Sequence, residues 1–377
     1  MHNVVFNRAA VPAAQARYLS DSFASGHISG DGPFTARATR LLGEVTGGES
    51  ILLTPSCTDA LEMAALLLDL QPGDEVIVPA YTFVSTANAF AMFGARPVFA
   101  DVRPEDMNLD PDSVSDLTSP RTRAIVPVHY GGVACDMDRL LDIAADVGAL
   151  VVEDNAHGLF GSDVHGRPLG SIGHLSTLSF HETKNISCGE GGALLLNDPA
   201  MVTRAEILRE KGTNRTRFFR GEVDRYTWVD LGSSYLLADP LAAVLVAQLE
   251  DADAIQARRR TAFERYALDL ADWADAVGVR LGLPASEAEH PFHLFWMLMP
   301  DLATRSAFIA HMRARGIHAV FHYQALNASP MGARFGAAAG QCPVAEDATD
   351  RLVRLPVFSD ITPDEVARVI EATVAFV

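Results

Sequence analysis

Lysine is almost absent from this chain, and one of its two lysines lies in a segment suited to covalent chemistry. Lysines and arginines together number 30 in 377 residues, and only Lys184 and Lys211 are lysine. A lysine amine can lose its proton when it is desolvated and then attack a carbonyl carbon, whereas a guanidinium stays protonated. Schiff-base chemistry is therefore the first hypothesis, although a coding bias against lysine would leave the same count.

The surroundings of the two lysines differ. Lys184 lies in a polar bend between two β-like runs, and three glycines follow it within residues 189–192. Such glycines permit positive φ angles and close approach of the backbone to a ligand. Lys211 instead ends a helical pattern just before Gly212, where a cation suits the helix dipole. These patterns favour chemistry for Lys184 and a structural role for Lys211.

A lysine that holds a carbonyl cofactor needs partners around that cofactor. Pyridoxal 5'-phosphate (PLP) is the obvious candidate, and it requires an acidic residue to keep its ring nitrogen protonated. Residues 149–154 read as a buried parallel strand that ends in Asp154, and ligands of open α/β sheets bind at such strand ends. His157 could hydrogen-bond the phenolic oxygen of the ring. An ordinary acidic strand end with a satisfied histidine is the competing interpretation.

Other segments offer groups for a phosphate and for the face of a ring. Residues 50–62 predict a strand, a hydroxyl-rich turn with Thr58 and a helix N-terminus, which together suit phosphate, although an ordinary helix cap has the same pattern. Ser179, on the strand before the lysine, could add a hydroxyl. Tyr81 and Phe83 could cover an aromatic ring or belong to the core.

Several of these motifs carry a resemblance to a known family. They are Ser179–Asn185 with the Gly-Glu-Gly-Gly that follows, Glu153–His157, Pro79–Phe83 and Ser56–Thr58. The chain resembles, over nearly its whole length, the PLP-dependent, fold-type I sugar aminotransferases of the DegT/StrS type. Within that family it is most similar to the dTDP-4-keto-6-deoxyglucose 4-aminotransferases, in segments Phe6–Arg8, Thr54–Thr58, Val126–Tyr130, Glu210–Arg215, Phe218–Gly221 and Asp230–Tyr235.

The resemblance implies roles for individual residues around the cofactor. Lys184 would form the Schiff base and shuttle a proton, Asp154 would pair with the pyridinium nitrogen, and His157 would contact the phenolic oxygen. Phe83 would stack on the ring. Ser234 matches an asparagine that in many relatives reaches the phosphate bound by the neighbouring subunit. The residues implied for the phosphate within the subunit are Cys57, Thr58 and Ser179.

Two further segments are candidates for substrate binding. Lys211, Arg215 and Arg220 belong to a run of four cations in ten residues without an acidic residue. This run could hold the diphosphate of a sugar nucleotide, or it could be a solvated loop or a subunit contact. His322 and Tyr323 lie in a loop that the resemblance places near the sugar.

The activity implied by the resemblance is a two-stage transamination. L-glutamate would give its amino group to the cofactor, and the 4-keto position of a dTDP-4-keto-6-deoxyhexose would receive it, giving a dTDP-4-amino-4,6-dideoxyhexose for deoxysugar biosynthesis. A homodimer with shared active sites is also implied. Two alternatives are a PLP-dependent sugar dehydratase and a non-catalytic PLP- or sugar-binding regulatory relative. Lys184 speaks against the first, because relatives known for 3-dehydration have histidine there.

The elements that must position these residues follow an α/β rhythm. Strand-like and helix-like patterns alternate from about residue 50 to 212, among them a strand over 124–129 and a helix over 137–147. This alternation predicts a mostly parallel sheet covered on both faces. The resemblance implies the aspartate aminotransferase-like fold of type I. A long helical stretch over 237–270, broken or bent inside, would connect a large PLP-binding domain with an N-terminal arm to a small α+β domain. The expected domains are residues 1–250 and 251–377.

Composition argues against several other classes of protein. The formal net charge of −18 argues against a nucleic-acid partner, because phosphate backbones are bound by broad basic surfaces. No run of eighteen apolar residues predicts a membrane span, and the first residues do not resemble a secretory signal, so a cytoplasmic protein is expected. The four cysteines and the spaced histidine pairs lack the pattern of a metal site, so no metal is expected.

Overall fold

A seven-stranded sheet forms the centre of the computed structural model, which describes residues 3–284 and 288–376. The strand order is β1-β7-β6-β5-β4-β2-β3. These strands are β1 (Ile51–Thr54), β2 (Glu75–Pro79), β3 (Arg96–Ala100), β4 (Thr122–Ile125), β5 (Leu150–Asp154), β6 (Leu175–Ser179) and β7 (Gly192–Leu196). All neighbouring pairs are parallel except those of β7, which runs antiparallel to β1 and β6. The predicted, mostly parallel sheet is confirmed.

Helices cover both faces of this sheet. The helices of this part of the chain are α1 (Gln15–Ala24), α2 (Pro33–Thr46), α3 (Cys57–Leu67), α4 (Val84–Ala91), α5 (Pro111–Leu117), α6 (Met137–Val147), α7 (Val202–Arg209), α8 (Arg215–Phe219) and α9 (Asp239–Glu250). Successive strand residues point to opposite faces, so Val76 and Val78 pack in the core beside α3, whereas Ile77 packs in the core beside α6. Burial on both faces explains why these strands are almost continuously apolar.

A second, smaller sheet lies in the C-terminal part of the chain. It is antiparallel, with the order β10-β11-β9-β8, and comprises β8 (Arg280–Leu281), β9 (Phe295–Leu298), β10 (Val320–Phe321) and β11 (Leu352–Leu355). The helices of this part are α10 (Ala252–Asp269), α11 (Ala271–Val277), α12 (Leu302–Ala314), α13 (Pro330–Arg334), α14 (Pro343–Arg351) and α15 (Pro363–Val374). Short 3-10 helices occupy Tyr130–Gly132, Pro199–Met201 and Leu326–Ala328.

The long helical stretch is broken at Asp251, between α9 and α10. Because of this break, we propose a domain boundary after residue 250. Just beyond it, Ala252 and Ile255 still pack in the core beside α2 and α9. The N-terminal arm contacts the C-terminal part of the chain, which contains the smaller sheet. There the Val4 N–H donates to the Gly316 carbonyl at 2.8 Å. Within residues 3–284 and 288–376, no helix combines the length and apolar character needed to cross a membrane.

Candidate active site

Lys184 lines a cavity of about 740 Å³, whose walls come from both the large-sheet part and the small-sheet part of the chain. It lies in the bend between β6 and β7, where its backbone N–H donates to the His181 carbonyl at 2.9 Å. Burial lowers the pKa of the Lys184 amine to about 8, against the opposing effect of the Asp154 carboxylate. An appreciable neutral fraction of the amine near physiological pH makes it a competent nucleophile. The predicted site residues that line this cavity are Cys57, Thr58, Phe83, Asp154, His157, Ser179, Lys184, His322 and Tyr323.

Asp154 ends β5 at the carboxyl edge of the sheet, and its carboxylate is buried in the cavity wall. Its Oδ2 accepts a hydrogen bond from the Thr86 hydroxyl at 2.7 Å, and its Oδ1 accepts one from the Ala156 N–H at 3.2 Å. Burial raises the pKa of Asp154 in spite of these bonds and of Lys184. A cation placed against this carboxylate would relieve the desolvation, which is what a protonated pyridine nitrogen would do.

The residue before Asp154 holds the strand end in place from the other side. The buried Glu153 carboxylate lies 2.8 Å from His129 Nε2 and accepts the Gly170, Ile172 and Gly173 N–H groups. Burial opposes ionisation of Glu153, yet the bond from His129 holds its pKa below the usual range. A buried carboxylate with this many donors is fixed in position, and the backbone that carries Asp154 is fixed with it.

His157 is a neutral hydrogen-bond donor. Burial and the nearby charges of Lys184 and Arg354 hold its pKa well below the usual range. Its Nδ1 accepts the Gly131 N–H at 3.3 Å, so the ring proton must reside on Nε2. A neutral imidazole with Nε2–H suits the predicted contact to a phenolic oxygen.

The N-terminus of α3 forms one end of the cavity. Ser56 caps this helix by accepting the Asp59 N–H at 3.0 Å, and the Thr58 hydroxyl lies 2.9 Å from that of Ser85. Burial raises the pKa of Cys57 to about 12, so its thiol stays neutral and would not repel an anion. A helix N-terminus with neutral side chains is a suitable place for a phosphate.

Aromatic residues border the cavity on another side. Phe83 keeps 55% of its surface exposed at the N-cap of α4. Tyr81 is buried in the core instead, so only one of the two aromatic candidates offers a free ring. The Tyr323 ring lies 6.2 Å from that of Phe83. An exposed ring facing a cavity fits the predicted stacking on a flat cofactor.

The predicted cationic run lies outside this cavity. Lys211 pairs with Glu210 at 3.2 Å, Arg220 with Glu206 at 2.5 Å, and the Arg215 guanidinium lies over the Phe219 ring. Ser234 forms an isolated bridge with Glu210 and does not line the cavity either. In this chain the structure therefore brings nine of the predicted residues together and leaves Lys211, Arg215, Arg220 and Ser234 apart from them.

Arg354 on β11 is a cavity residue that the sequence analysis missed. Burial lowers the pKa of its guanidinium, and its Nε has no hydrogen-bond partner among the described residues. The Phe6 ring lies 4.7 Å from this guanidinium. Its Nη2 donates to the Phe321 carbonyl at 3.4 Å, but no carboxylate in the described part of the chain forms an ion pair with it. The guanidinium can therefore meet an anionic ligand. A single arginine in the apolar run Leu352–Leu355 is the only sequence signal for it.

The donor set as a whole fits PLP. A partly neutral amine, a buried carboxylate, a neutral imidazole donor, an open aromatic face and a helix N-terminus line one cavity. Lys184, Asp154 and His157 would hold the carbonyl, the ring nitrogen and the phenolic oxygen respectively. Cys57, Thr58 and Ser179 would hold the phosphate. These residue roles remain proposals, whereas their common location is a feature of the structure.

Comparisons with known proteins agree with this site. The DegT/DnrJ/EryC1/StrS aminotransferase family matches residues 11–374. The uncharacterized protein MJ1066 of Methanocaldococcus jannaschii is 30% identical over 348 residues, which cover 90% of this chain and 89% of that protein. The aminotransferase TlmJ from Streptoalloteichus hindustanus is 31% identical, with a TM-score of 0.89 over 100% of this chain and 98% of that chain.

A second solved structure is the putative sugar aminotransferase Spr1654 from Streptococcus pneumoniae in its PLP form. It is 26% identical, with a TM-score of 0.90 over 99% of this chain and 98% of that chain. The predicted family, the fold of type I, the aminotransferase activity and the PLP cofactor are thereby confirmed. This match, over residues 11–374, shows that the chain belongs to the DegT/DnrJ/EryC1/StrS aminotransferase family.

Proposed function

We propose that this enzyme transfers the amino group of L-glutamate to the 4-keto position of a dTDP-4-keto-6-deoxyhexose, giving a dTDP-4-amino-4,6-dideoxyhexose. The observation that carries the proposal is a desolvated Lys184 amine that shares one cavity with the buried Asp154 carboxylate. The sugar acceptor is supported by the similarity to Spr1654 and by the segments that resemble 4-aminotransferases. The nucleotide and the 4-keto position rest on that resemblance alone.

When bound, PLP supplies an electron sink that allows a C–H bond next to the transferred nitrogen to ionise. The residues of the chain then orient the reactants and move protons. Asp154 would hold the ring nitrogen, and the Nε2–H of His157 would hold the phenolic oxygen. The α3 N-terminus would hold the phosphate, next to the cavity wall that carries the Lys184 amine.

Lys184 is suited to accept the proton from the α-carbon of the amino donor and to return a proton later in the transfer. An amine with a pKa of about 8 can both accept and return a proton near neutral pH, which is what a general acid–base group must do. An ordinary lysine would hold its proton too tightly to act as a base. Burial of this one amine therefore supplies both its nucleophilic and its proton-transfer capacity.

We further propose that Arg354 binds a carboxylate of the amino donor. Arg354 lines the cavity, its Nε is buried without a partner among the residues described, and its Nη2 donates only a long hydrogen bond to the Phe321 carbonyl, at 3.4 Å. A donor with two carboxylates would provide the missing anion, and charge-assisted bonds to arginine are both strong and geometrically specific.

The cations that lie outside the cavity suggest a second subunit. Around them, the segment 215–231 exposes several large apolar side chains, namely Phe219, Tyr226, Trp228, Val229 and Leu231. A contiguous exposed apolar surface is typical of an interface. We propose a homodimer in which this segment and Ser234 approach the cavity of the partner subunit, where Lys211, Arg215 and Arg220 would meet the diphosphate. A cytoplasmic location is part of the same proposal.

The reaction product tests the proposed function. The enzyme is incubated with dTDP-4-keto-6-deoxyglucose and ¹⁵N-labelled L-glutamate, and the sugar nucleotide is analysed by NMR. We expect ¹⁵N bonded to C4 together with 2-oxoglutarate in equal amount, with either configuration at C4. A dehydrated sugar, an amine at another carbon, or transfer to other keto compounds in preference to this one would contradict the proposal.

A further inference from the structure

Asn185 ties the backbone next to Lys184 to a segment from the other part of the molecule. Its Nδ2 donates to the Pro291 carbonyl at 2.5 Å and to Gln256 Oε1 at 3.0 Å, and its Oδ1 lies 2.8 Å from His293 Nδ1. Because a carbonyl oxygen only accepts, the atom that faces Pro291 must be the amide nitrogen. The orientation of the Asn185 side chain is thereby determined.

This orientation also determines the tautomer of His293. The Oδ1 of Asn185 can only accept, so the proton of the neutral His293 ring resides on Nδ1. The His293 ring lies 4.4 Å from that of His157, which carries its own proton on Nε2. His293 therefore contacts both Asn185, the residue after the lysine, and His157, which lines the lysine cavity.

The segment that carries His293 is itself held firmly. We call residues 291–293 the strap. The fully buried Arg259 on α10 donates from Nε to the Phe292 carbonyl at 3.0 Å and from Nη2 to the His293 carbonyl at 2.5 Å. Gln256, one turn earlier, donates to the Pro291 carbonyl at 3.1 Å. Phe292 adopts a φ of 51°, a conformation that a bulky residue keeps only when its surroundings enforce it.

We propose that the strap positions the catalytic lysine, with His293 acting through its bond to Asn185 and its contact with His157. The inference rests on the role of Lys184 proposed above. Arg259 and Gln256 fix the strap, the strap fixes the Asn185 amide, and the amide fixes the bend that presents the Lys184 amine to the cavity. His293 is a positioning residue, because it acts through its neighbours on the group that reacts.

If the strap positions Lys184, loss of its bond to Asn185 should change the pKa of the Lys184 amine, which loss of a merely structural residue would not do. The charged groups that influence the Lys184 amine are Asp154 and Arg354, and the Cys57 thiol beside them is neutral. The amine in turn lowers the pKa values of the His157, His293 and His322 rings. Burial is the main reason for the low pKa of this amine. If the hydrogen bond between Asn185 and His293 is lost, the bend that carries Lys184 can relax toward solvent. The pKa of the Lys184 amine must then rise.

His293→Phe tests this directly, since it keeps a ring beside His157 but removes the donor to Asn185. The cofactor-free protein is acetylated over a range of pH, and the labelling of Lys184 is followed by peptide mass spectrometry. We expect a midpoint near 8 for the wild-type protein, and a midpoint about one unit higher for His293→Phe. In the loaded enzyme, kcat should fall about 100-fold with little change in KM.

His293→Gln and His318→Phe are the matched variants. The glutamine restores an N–H donor, so the Lys184 midpoint and kcat should both return part of the way to their wild-type values. His318 is exposed and lies outside the cavity, so its replacement should change neither the midpoint nor kcat. Should His293→Phe fail to fold, Asn185→Ala cuts the same bond from the other side. An unchanged Lys184 midpoint in the folded variants would overturn the positioning role, with or without a loss of kcat. The identity of the reactive amine is tested separately, by labelling of the wild-type holoenzyme.

Discussion

At the scale of single residues, burial shifts the pKa values of two ionisable groups that line the same cavity in opposite directions. It lowers the pKa of Lys184 to about 8 and raises that of Asp154. Both changes disfavour the charged forms, so the protein gives up solvation energy at this point. A cofactor that bonds to the amine and presents a cationic nitrogen to the carboxylate relieves both penalties at once. Binding of the cofactor should therefore stabilise the fold.

The lone cavity arginine leads to the first prediction. Arg354→Gln removes the charge that we assign to the donor carboxylate, and a charge-assisted hydrogen bond contributes about 1.5–3 kcal/mol. We expect KM for L-glutamate to rise roughly 10- to 100-fold while kcat changes little, because the contact is kept from substrate to transition state. Steady-state kinetics with glutamate as the varied substrate measure this.

Arg280→Gln serves as the comparison for Arg354. Arg280 also lies on the small sheet over an aromatic ring, at 5.5 Å from Trp296, but it does not line the cavity. Its replacement should leave KM for glutamate unchanged. If Arg354→Gln instead raised only KM for the sugar nucleotide, the guanidinium would have to be reassigned to the acceptor.

At the scale of elements, the start of β7 passes very close to the start of α3. A Cβ added at Gly192 would lie 2.4 Å from the Cys57 nitrogen and from the Ser56 carbonyl carbon, so backbone atoms would have to move. Gly192→Ala should therefore destabilise the protein by about 1–3 kcal/mol and weaken PLP binding, because the displaced helix end is the proposed phosphate site. Thermal unfolding and a titration with PLP measure the two effects.

Gly148→Ala is the control for that substitution. Gly148 has a φ of 69°, but a Cβ there would meet open space at the end of α6. Its replacement should cost about 1–2 kcal/mol of stability through backbone strain and leave PLP affinity unchanged. Equal affinity for PLP in the Gly192 and Gly148 variants would remove α3 from the phosphate site.

The elements themselves could largely be predicted from sequence, with limits set by local backbone chemistry. The helix over residues 137–147 was predicted with its bounds, because Asp136 caps its start and Gly148 ends it with a positive φ. The strand predicted over 124–129 ends instead at Ile125, since Pro127 has no N–H for the ladder. Pairing resumes only as an isolated bridge between Val128 and Asp154.

Tertiary structure explains what sequence reasoning missed in the site. Lys184, Asp154 and His157 could be found because their motifs are local and their chemistry is distinctive. Arg354 lies 170 positions beyond the lysine, and nothing in a short strand indicates which face of it borders a cavity. The tether from Asn185 to His293 spans more than a hundred residues and depends on a bend meeting a strap. Such contacts follow from packing rather than from any periodic pattern.

At the scale of the whole molecule, the exposed apolar segment leads to a prediction about assembly. Trp228 is 75% exposed and lies among other exposed apolar side chains of the segment 215–231. Trp228→Asp should convert the proposed homodimer to monomer and lower activity, because the partner's contribution to each site would be lost. Size-exclusion chromatography with light scattering gives the mass, and kcat is measured at the same protein concentrations.

A matched surface change separates the interface from general effects of charge. Leu268 on α10 is 76% exposed, so Leu268→Asp adds the same charge at an equally exposed apolar position outside the segment. We expect it to remain dimeric and active. A wild-type protein that is monomeric at all concentrations yet fully active would contradict shared active sites.

The central claim is that Lys184 is the amine that bonds to the cofactor, and the two-lysine composition makes one measurement decisive. The PLP-loaded protein is reduced with borohydride, digested and mapped by mass spectrometry. We expect the pyridoxyl label on Lys184 and none on Lys211, and no label in a folded Lys184→Arg variant, which should also lack transaminase activity. A label on Lys211, or an unlabelled wild-type holoenzyme, would contradict the assignment.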